Sequence, residues 1–197
     1  MPNSLVTAHR LFYETSGREL FAGLSATVQP YELVEVCGPN GSGKTTLLRM
    51  FAGFLKPDSG QVVRHTKGLG FVGHRLGVAR LLSVRENIRW SIAMSNTTIT
   101  EASTQEVLER FGLGSYVDTL VKDLSAGQAK RTALAVLVLS NHRLWLLDEP
   151  TASLDTEGEE LLGQAVKTHC QSGGAAIVAT HSSFASKADK RFELGKT

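Results

Sequence analysis

The sequence predicts an α/β fold built on a mainly parallel core sheet, with an antiparallel β part at its N-terminus and a helical subdomain inserted into the core. Three observations carry this. Short apolar runs alternate with helical periodicity along the chain; the late runs, "LWLL" and "AAIVAT", are continuously apolar rather than alternating. Strands of that kind are buried on both faces, as in parallel sheets covered by helices. A cluster of helical patterns over 81–139 interrupts the alternation, so the core is expected at 1–80 and 140–197 of one domain spanning 1–197.

Taken in order, apolar stretches at 5–12, 24–28 and 33–37 read as strands, the third running into a glycine-rich loop. Over 44–52 the spacing of Leu47, Leu48, Phe51 and Ala52 is helical, and Gly53 with Pro57 supplies stop signals. A strand at 69–72 precedes "SVRENIRWSIA", where Ser83 and Glu86 are placed as a capping box. "TQEVLERFG" reads as a helix ended by Gly112, and a further helix runs over 125–139. Strands at 144–147 and 175–180 flank a helix over 157–170.

Composition narrows the functional classes. The 197 residues suffice for one core without disulfides or metal. With 21 basic and 19 acidic residues spread along the chain, the formal charge of +2 leaves no footprint for nucleic acid or an anionic membrane surface. The two cysteines, Cys37 and Cys170, lie outside any C-x-x-C or metal-ligand spacing and read as reduced cytosolic thiols. The start of the chain lacks the pattern of a secretory signal. The longest apolar stretch, "ALAVLVL", falls far short of the roughly 20 residues of a membrane helix.

The chemistry is concentrated in a few motifs. "GPNGSGKT", comprising Gly38, Pro39, Asn40, Gly41, Ser42, Gly43, Lys44 and Thr45, matches G-x-x-x-x-G-K-[ST] between a strand and a helix. Glycines let the backbone approach phosphate oxygens, amides at the helix start point at the anion, and Lys44 adds a charge between the β- and γ-phosphates of ATP. Thr45 offers a hydroxyl to Mg²⁺, and Thr46 follows it in the ATP-binding set. "RLWLLDEP" describes a buried strand delivering two acids at its C-terminal edge, where α/β sheets bind ligands. Two acids after a strand are commonly just a turn, but with the phosphate loop upstream Asp148 becomes a Mg²⁺ holder, directly or through water. Glu149 is then the base or orienting group for an attacking water.

Between these lies "LSAGQ", Leu124, Ser125, Ala126, Gly127 and Gln128, followed by the basic pair Lys130 and Arg131. Here the chain resembles the ATP-binding cassette family, whose signature is this Leu-Ser-x-Gly-Gln pattern; the resemblance covers nearly the whole chain. It implies that Ser125 and Gly127 contact the γ-phosphate of ATP held by a second copy of the chain, so that dimerisation completes each site. Ser125 as a plain helix cap is compatible with this. The resemblance further implies that "SLD", ending in Asp155, links the two sites, that His181 hydrogen-bonds the γ-phosphate and the attacking water, and that Phe12 stacks on adenine, with Tyr13 as the alternative.

Nine residues before Ser83, where the family's loop glutamine is expected, the sequence has His74. Mg²⁺ prefers oxygen, so His74 is a possible metal contact through a bound water or a group reaching the γ-phosphate. "PYE" at 30–32 departs from the family's Pro-Gly-Glu. The Gly-His loop, the short chain, "LFAGLSATV" and the ending "RFELGKT" resemble one branch, the ATP-binding subunits of cytochrome c biogenesis known as haem exporters. That likeness implies hydrolysis of ATP as the energy-coupling step of an export complex, tied to haem export or release of a haem-loaded chaperone. It implies separately encoded integral membrane subunits, an indirect link to the haem chaperone, and a peripheral place on the cytoplasmic face of the inner membrane. Transport of another cargo is the first alternative, and a soluble cassette ATPase without a membrane partner the second.

Overall fold

The computed structural model describes residues 4–95, 98–181, 184 and 188–195. Its centre is a five-stranded, wholly parallel sheet of β5 (Leu69–Val72), β6 (Leu144–Asp148), β7 (Ala175–Ala179), β3 (Leu33–Cys37) and β8 (Lys190–Glu193), in that spatial order. β6 and β7 are buried along their whole length, which explains their unbroken apolar runs. The period of two sorts their side chains between two cores: Trp145, Leu147, Ala176 and Val178 face one, Leu144, Leu146, Ile177 and Ala179 the other.

Against the first face pack α4 (Ala126–Leu139) and α5 (Thr156–Gln171), and α2 (Val84–Ser95) and α3 (Glu101–Arg110) pack on α4, extending one core through Ile88, Leu108, Leu134 and Val166 among others. Two short 3₁₀ turns at Gly114–Tyr116 and Val121–Asp123 join α3 to α4. The segment between β5 and β6 is therefore helical, and its apolar side chains belong to one continuous core with the sheet. The second face takes α1 (Lys44–Ala52), through Leu47, Leu48 and Phe51, and a separate antiparallel sheet.

That second sheet has the order β2-β1-β4. β1 (Val6–Thr15) and β2 (Arg18–Val28) form a hairpin longer than the apolar runs suggest, closed by Ser16 and Gly17 at φ 51° and 72°. Positive φ at both central residues is the two-residue turn that matches strand twist. β4 (Ser59–Arg64) and β8 carry no strand signal in the sequence: "SGQVVR" is half-buried only at Val62 and Val63, and "KRFE" alternates between half-buried and exposed without an apolar run. β8 is fastened by Glu35, a carboxylate only 1% exposed, which accepts from Arg191 Nη2 at 2.6 Å and Nε at 3.1 Å and from the Phe184 amide at 3.1 Å.

The anticipated helix boundaries have physical causes. Ser83 and Glu86 form the reciprocal cap, Ser83 N–H to Glu86 Oε2 at 2.7 Å and Glu86 N–H to Ser83 Oγ at 3.2 Å. Gly53, left-handed at φ 82°, ends α1 by donating to the carbonyls of Arg49 and Met50. α3 starts earlier than its apolar residues indicate because Thr100 caps it, accepting from the Ser103 amide at 3.1 Å.

Candidate functional site: the C-terminal edge of the parallel sheet

Parallel pairing brings the phosphate loop, the His74 loop, the acidic strand end and His181 to one edge. β3 runs out into Gly38, β5 into Gly73 and His74, β6 into Asp148 and Glu149, and β7 through Thr180 to His181. The registers Val72 with Leu147, Asp148 with Ala179, and Val36 with Ala179 align these exits. Ligands bind at such strand ends because loops there converge from different parts of the chain.

The phosphate loop is shaped by close approach. A Cβ on Gly38 would come within 2.6 Å of both the Leu194 carbonyl and Ser42 Oγ, and one on Gly43, at φ 98°, within 3.1 Å of the Phe21 ring of β2. The loop is thus clamped between the end of the chain and the antiparallel sheet. Lys44, 7% exposed, turns its ammonium onto the carbonyls of Gly38 at 2.8 Å and Pro39 at 3.3 Å. Ser42 Oγ is buried and, among the described residues, has no hydrogen-bond partner. A buried hydroxyl of that kind suits a loop that receives an oxyanion.

Thr45 at the start of α1 donates to both Asp148 oxygens, at 2.8 and 3.0 Å. This contact joins two motifs far apart in sequence and gathers hydroxyl and carboxylate oxygens, the hard donors that Mg²⁺ selects. The residues therefore fit the ion. Beside them Glu149 adopts φ 46°, left-handed backbone that is strained for a non-glycine residue. Its amide donates to the Ala179 carbonyl at 2.9 Å, and its carboxylate Oε2 lies 2.9 Å from His181 Nδ1.

Two cavities meet here and share Thr45 and Glu149. One of about 650 Å³ is bordered by Asn40, Gly41, Gly43, Lys44 and Thr46 of the loop and by Thr15, Ser16, Arg18 and Leu20 of the hairpin. The other, about 480 Å³, is bordered by Gly73, exposed His74, Ala126, Lys130, Asp148 and Ser153. His74 therefore stands across a cavity from Thr45 and the acidic pair. Phe12 and Tyr13 border neither cavity; Tyr13 packs on the core, which leaves Phe12 on the opposite face of β1.

The signature opens α4. Ser125 Oγ accepts from the Gln128 amide at 3.2 Å while Gln128 Oε1 accepts from the Ser125 amide at 2.9 Å, and Ser125 and Ala126 stay exposed at the helix start. Leu124 packs under the helices. A Cβ on Gly127 would come within 3.2 Å of the Ser153 carbonyl, so the signature lies against the loop after Glu149. Asp155 borders neither cavity. It caps α5 through the Gly158 amide at 3.0 Å and pairs with Arg131 at 2.7 Å, a hydrogen bond that holds its carboxyl below the usual range.

Arg131 also reaches Glu157 at 2.9 Å. Sequence reasoning assigned neither this clamp nor the burial of Lys130. A signal existed: positions 130, 133, 134 and 137 form one helical stripe, so a lysine with Ala133, Leu134 and Leu137 sits in the buried register.

The ABC transporter family model matches residues 21–152, which span the phosphate loop, the signature and the acidic strand end just described. The chain belongs to the ATP-binding cassette transporter family. As a cassette ATPase it binds and hydrolyses ATP. It is 39% identical over 186 residues to the cytochrome c biogenesis ATP-binding export protein CcmA of Photobacterium profundum, covering 83% of this chain and 86% of that protein. Against the protein of the same name from Escherichia coli K12 it is 37% identical over 188 residues, covering 90% and 89% of the two chains. Among solved structures, the ATP-binding subunit of an ABC transporter superposes with a TM-score of 0.79 over 90% of this chain and 79% of the other, at 19% identity. That likeness carries the cassette fold. Among the described residues of this cassette no helix is long and apolar enough to cross a membrane.

Proposed function

We propose that this cassette is the energy-coupling subunit of an export complex of cytochrome c biogenesis, hydrolysing ATP to drive haem export or release of a haem-loaded chaperone. The named relatives support the pathway, and the Thr45 to Asp148 contact, which fastens the phosphate loop to the acidic strand end, carries the reaction.

In this reading the chain is one cassette domain whose helical part, 81–139, is inserted between core segments. Backbone amides from Gly38 to Thr46, with Lys44, hold the phosphates. Thr45 and Asp148 hold Mg²⁺, with His74 across the cavity. When bound, Mg²⁺ neutralises phosphate charge that develops during transfer. Glu149 accepts the proton of the attacking water, and His181, whose Nδ1 lies 2.9 Å from the Glu149 carboxylate, hydrogen-bonds the γ-phosphate and that water. Ser125 and Gly127 act on ATP held by a second copy, and Asp155 and Ser153 connect the two sites. Phe12 faces adenine. The membrane partners are separately encoded integral subunits, contacted from the cytoplasmic face of the inner membrane.

Co-purification with the membrane proteins encoded beside its gene, followed by ATPase assays with and without them, tests this. Stimulated turnover and restored cytochrome c assembly in a strain lacking the gene are expected. Failure to bind those proteins, or an assembly defect left unrepaired, would contradict the pathway.

A further inference from the structure

The basic pair after the signature divides its labour. Arg131 points to the start of α5, while Lys130 points inward: it is 4% exposed, in the second turn of α4, and its ammonium lies 3.4 Å from the backbone carbonyl of Glu149. A lysine in the apolar register of a helix is costly to desolvate, and an uncharged side chain of similar length would fill the space more cheaply. Burial pushes its ammonium below the usual lysine range, and the charges of Asp148 and Glu149 work against that shift. The position thus depends on the acidic end of β6.

The atom it holds is the informative part. Glu149 keeps its left-handed backbone only if the surroundings over-determine it. Three contacts do so: the Glu149 amide on Ala179 of β7, the Ala152 amide of the following turn on the Glu149 carbonyl at 3.2 Å, and Lys130 on the same carbonyl from α4. The Lys130 contact comes from the helix that Ser125 opens, so it ties the signature to the acid within one subunit.

We propose that Lys130 is a positioning residue for Glu149, holding its carbonyl so that the carboxylate is aimed at the site it shares with His181. This rests on the reading of Glu149 as the catalytic base. Misaiming a reacting group costs turnover rather than nucleotide affinity, because the phosphate loop and Lys44 are untouched.

The test compares Lys130→Met, which keeps length and loses the donor, with Lys130→Arg, which keeps charge and donor. Glu149→Gln is run alongside, all in the full chain under conditions where the unsubstituted protein turns over ATP. Lys130→Met is expected to lower kcat roughly 10- to 100-fold, the scale of a displaced catalytic group, with equilibrium Mg-ATP affinity and thermal midpoint close to those of the unsubstituted chain. Lys130→Arg is expected to recover most of that loss. A Lys130→Met chain with unchanged kcat overturns the proposal, as does one in which affinity and thermal midpoint fall in step with kcat. If Lys130→Met does not fold, Lys130→Gln is judged by the same split. Normal turnover in Glu149→Gln would instead remove the reading of Glu149 itself, so the two failures are distinct.

Discussion

Two histidines at opposite ends of the parallel sheet show how position decides chemistry. His181 follows β7 at the C-terminal edge, with its side chain 69% exposed and Nδ1 held 2.9 Å from the Glu149 carboxylate. His169 lies near the end of α5, at the N-terminal edge, stacked 3.8 Å from Trp145 at an interplanar angle of 4°. Its Nε2 and the Trp145 indole nitrogen are buried and, among the described residues, lack partners. Burial brings the His169 imidazole down to about 4 from its usual 6.5. One ring meets a carboxylate at the edge where such sheets bind ligands; the other stacks on an indole.

The difference comes from what the strand ends deliver. At the C-terminal edge, loops leave β3, β5, β6 and β7 together and bring Lys44, His74 and Asp148 around two cavities that share Thr45 and Glu149, with His181 joined to them through Glu149. At the other edge the chain enters the strands through tight turns, and the Trp145 and His169 rings fill space between α5 and β6.

Substitutions at the two edges should separate accordingly. The largest effect is expected for Lys44→Ala, with a loss in kcat/KM of roughly 10²- to 10³-fold or failure to bind ATP, on the scale of removing a preorganised charge stabiliser. Steady-state ATPase and equilibrium nucleotide titration read this out. Unaltered affinity and rate would mean that the phosphate loop is misassigned. His74→Ala should lower turnover stimulated by the membrane subunits by about tenfold, the worth of one well-placed hydrogen bond, while His74→Gln retains it. Equal rates for all three chains would make the position inert.

At the other edge, His169→Phe should leave turnover alone and change only the acid response. The unfolded chain takes up a proton at the ordinary value, whereas the folded chain does so only near 4. Folding stability is therefore full above the ordinary value and falls as pH drops through the window between the two. His169→Phe keeps the stack and removes that proton site, so its thermal midpoint should change less between about pH 7 and about pH 5 than that of the unsubstituted chain. An identical pH response would show that His169 does not contribute.

The C-terminal edge of the parallel sheet was largely readable in the sequence because its signals are local. A phosphate loop is one continuous stretch, and "LWLLDEP" states both the burial of its strand and the acids at its end. The pieces that escaped notice depend on distant partners. β4 and β8 are edge strands whose polar sequences are strands only because β1 and β3 pair with them. Arg18 and Ser16 reach the phosphate-loop cavity because the hairpin folds over it, and no pattern in "ETSGREL" announces that. Lys130 is intermediate: its helical register marked it as buried, but only the fold shows that the Glu149 carbonyl waits at the end of it.

The central claim is that Glu149 is where ATP hydrolysis happens. The most direct measurement is the turnover of Glu149→Gln together with its oligomeric state in Mg-ATP. We expect roughly a 10²-fold or greater loss of hydrolysis with ATP affinity retained, and an ATP-bound dimer that persists on size exclusion, because binding and closure survive without the base. Near-normal hydrolysis by that variant would contradict the account.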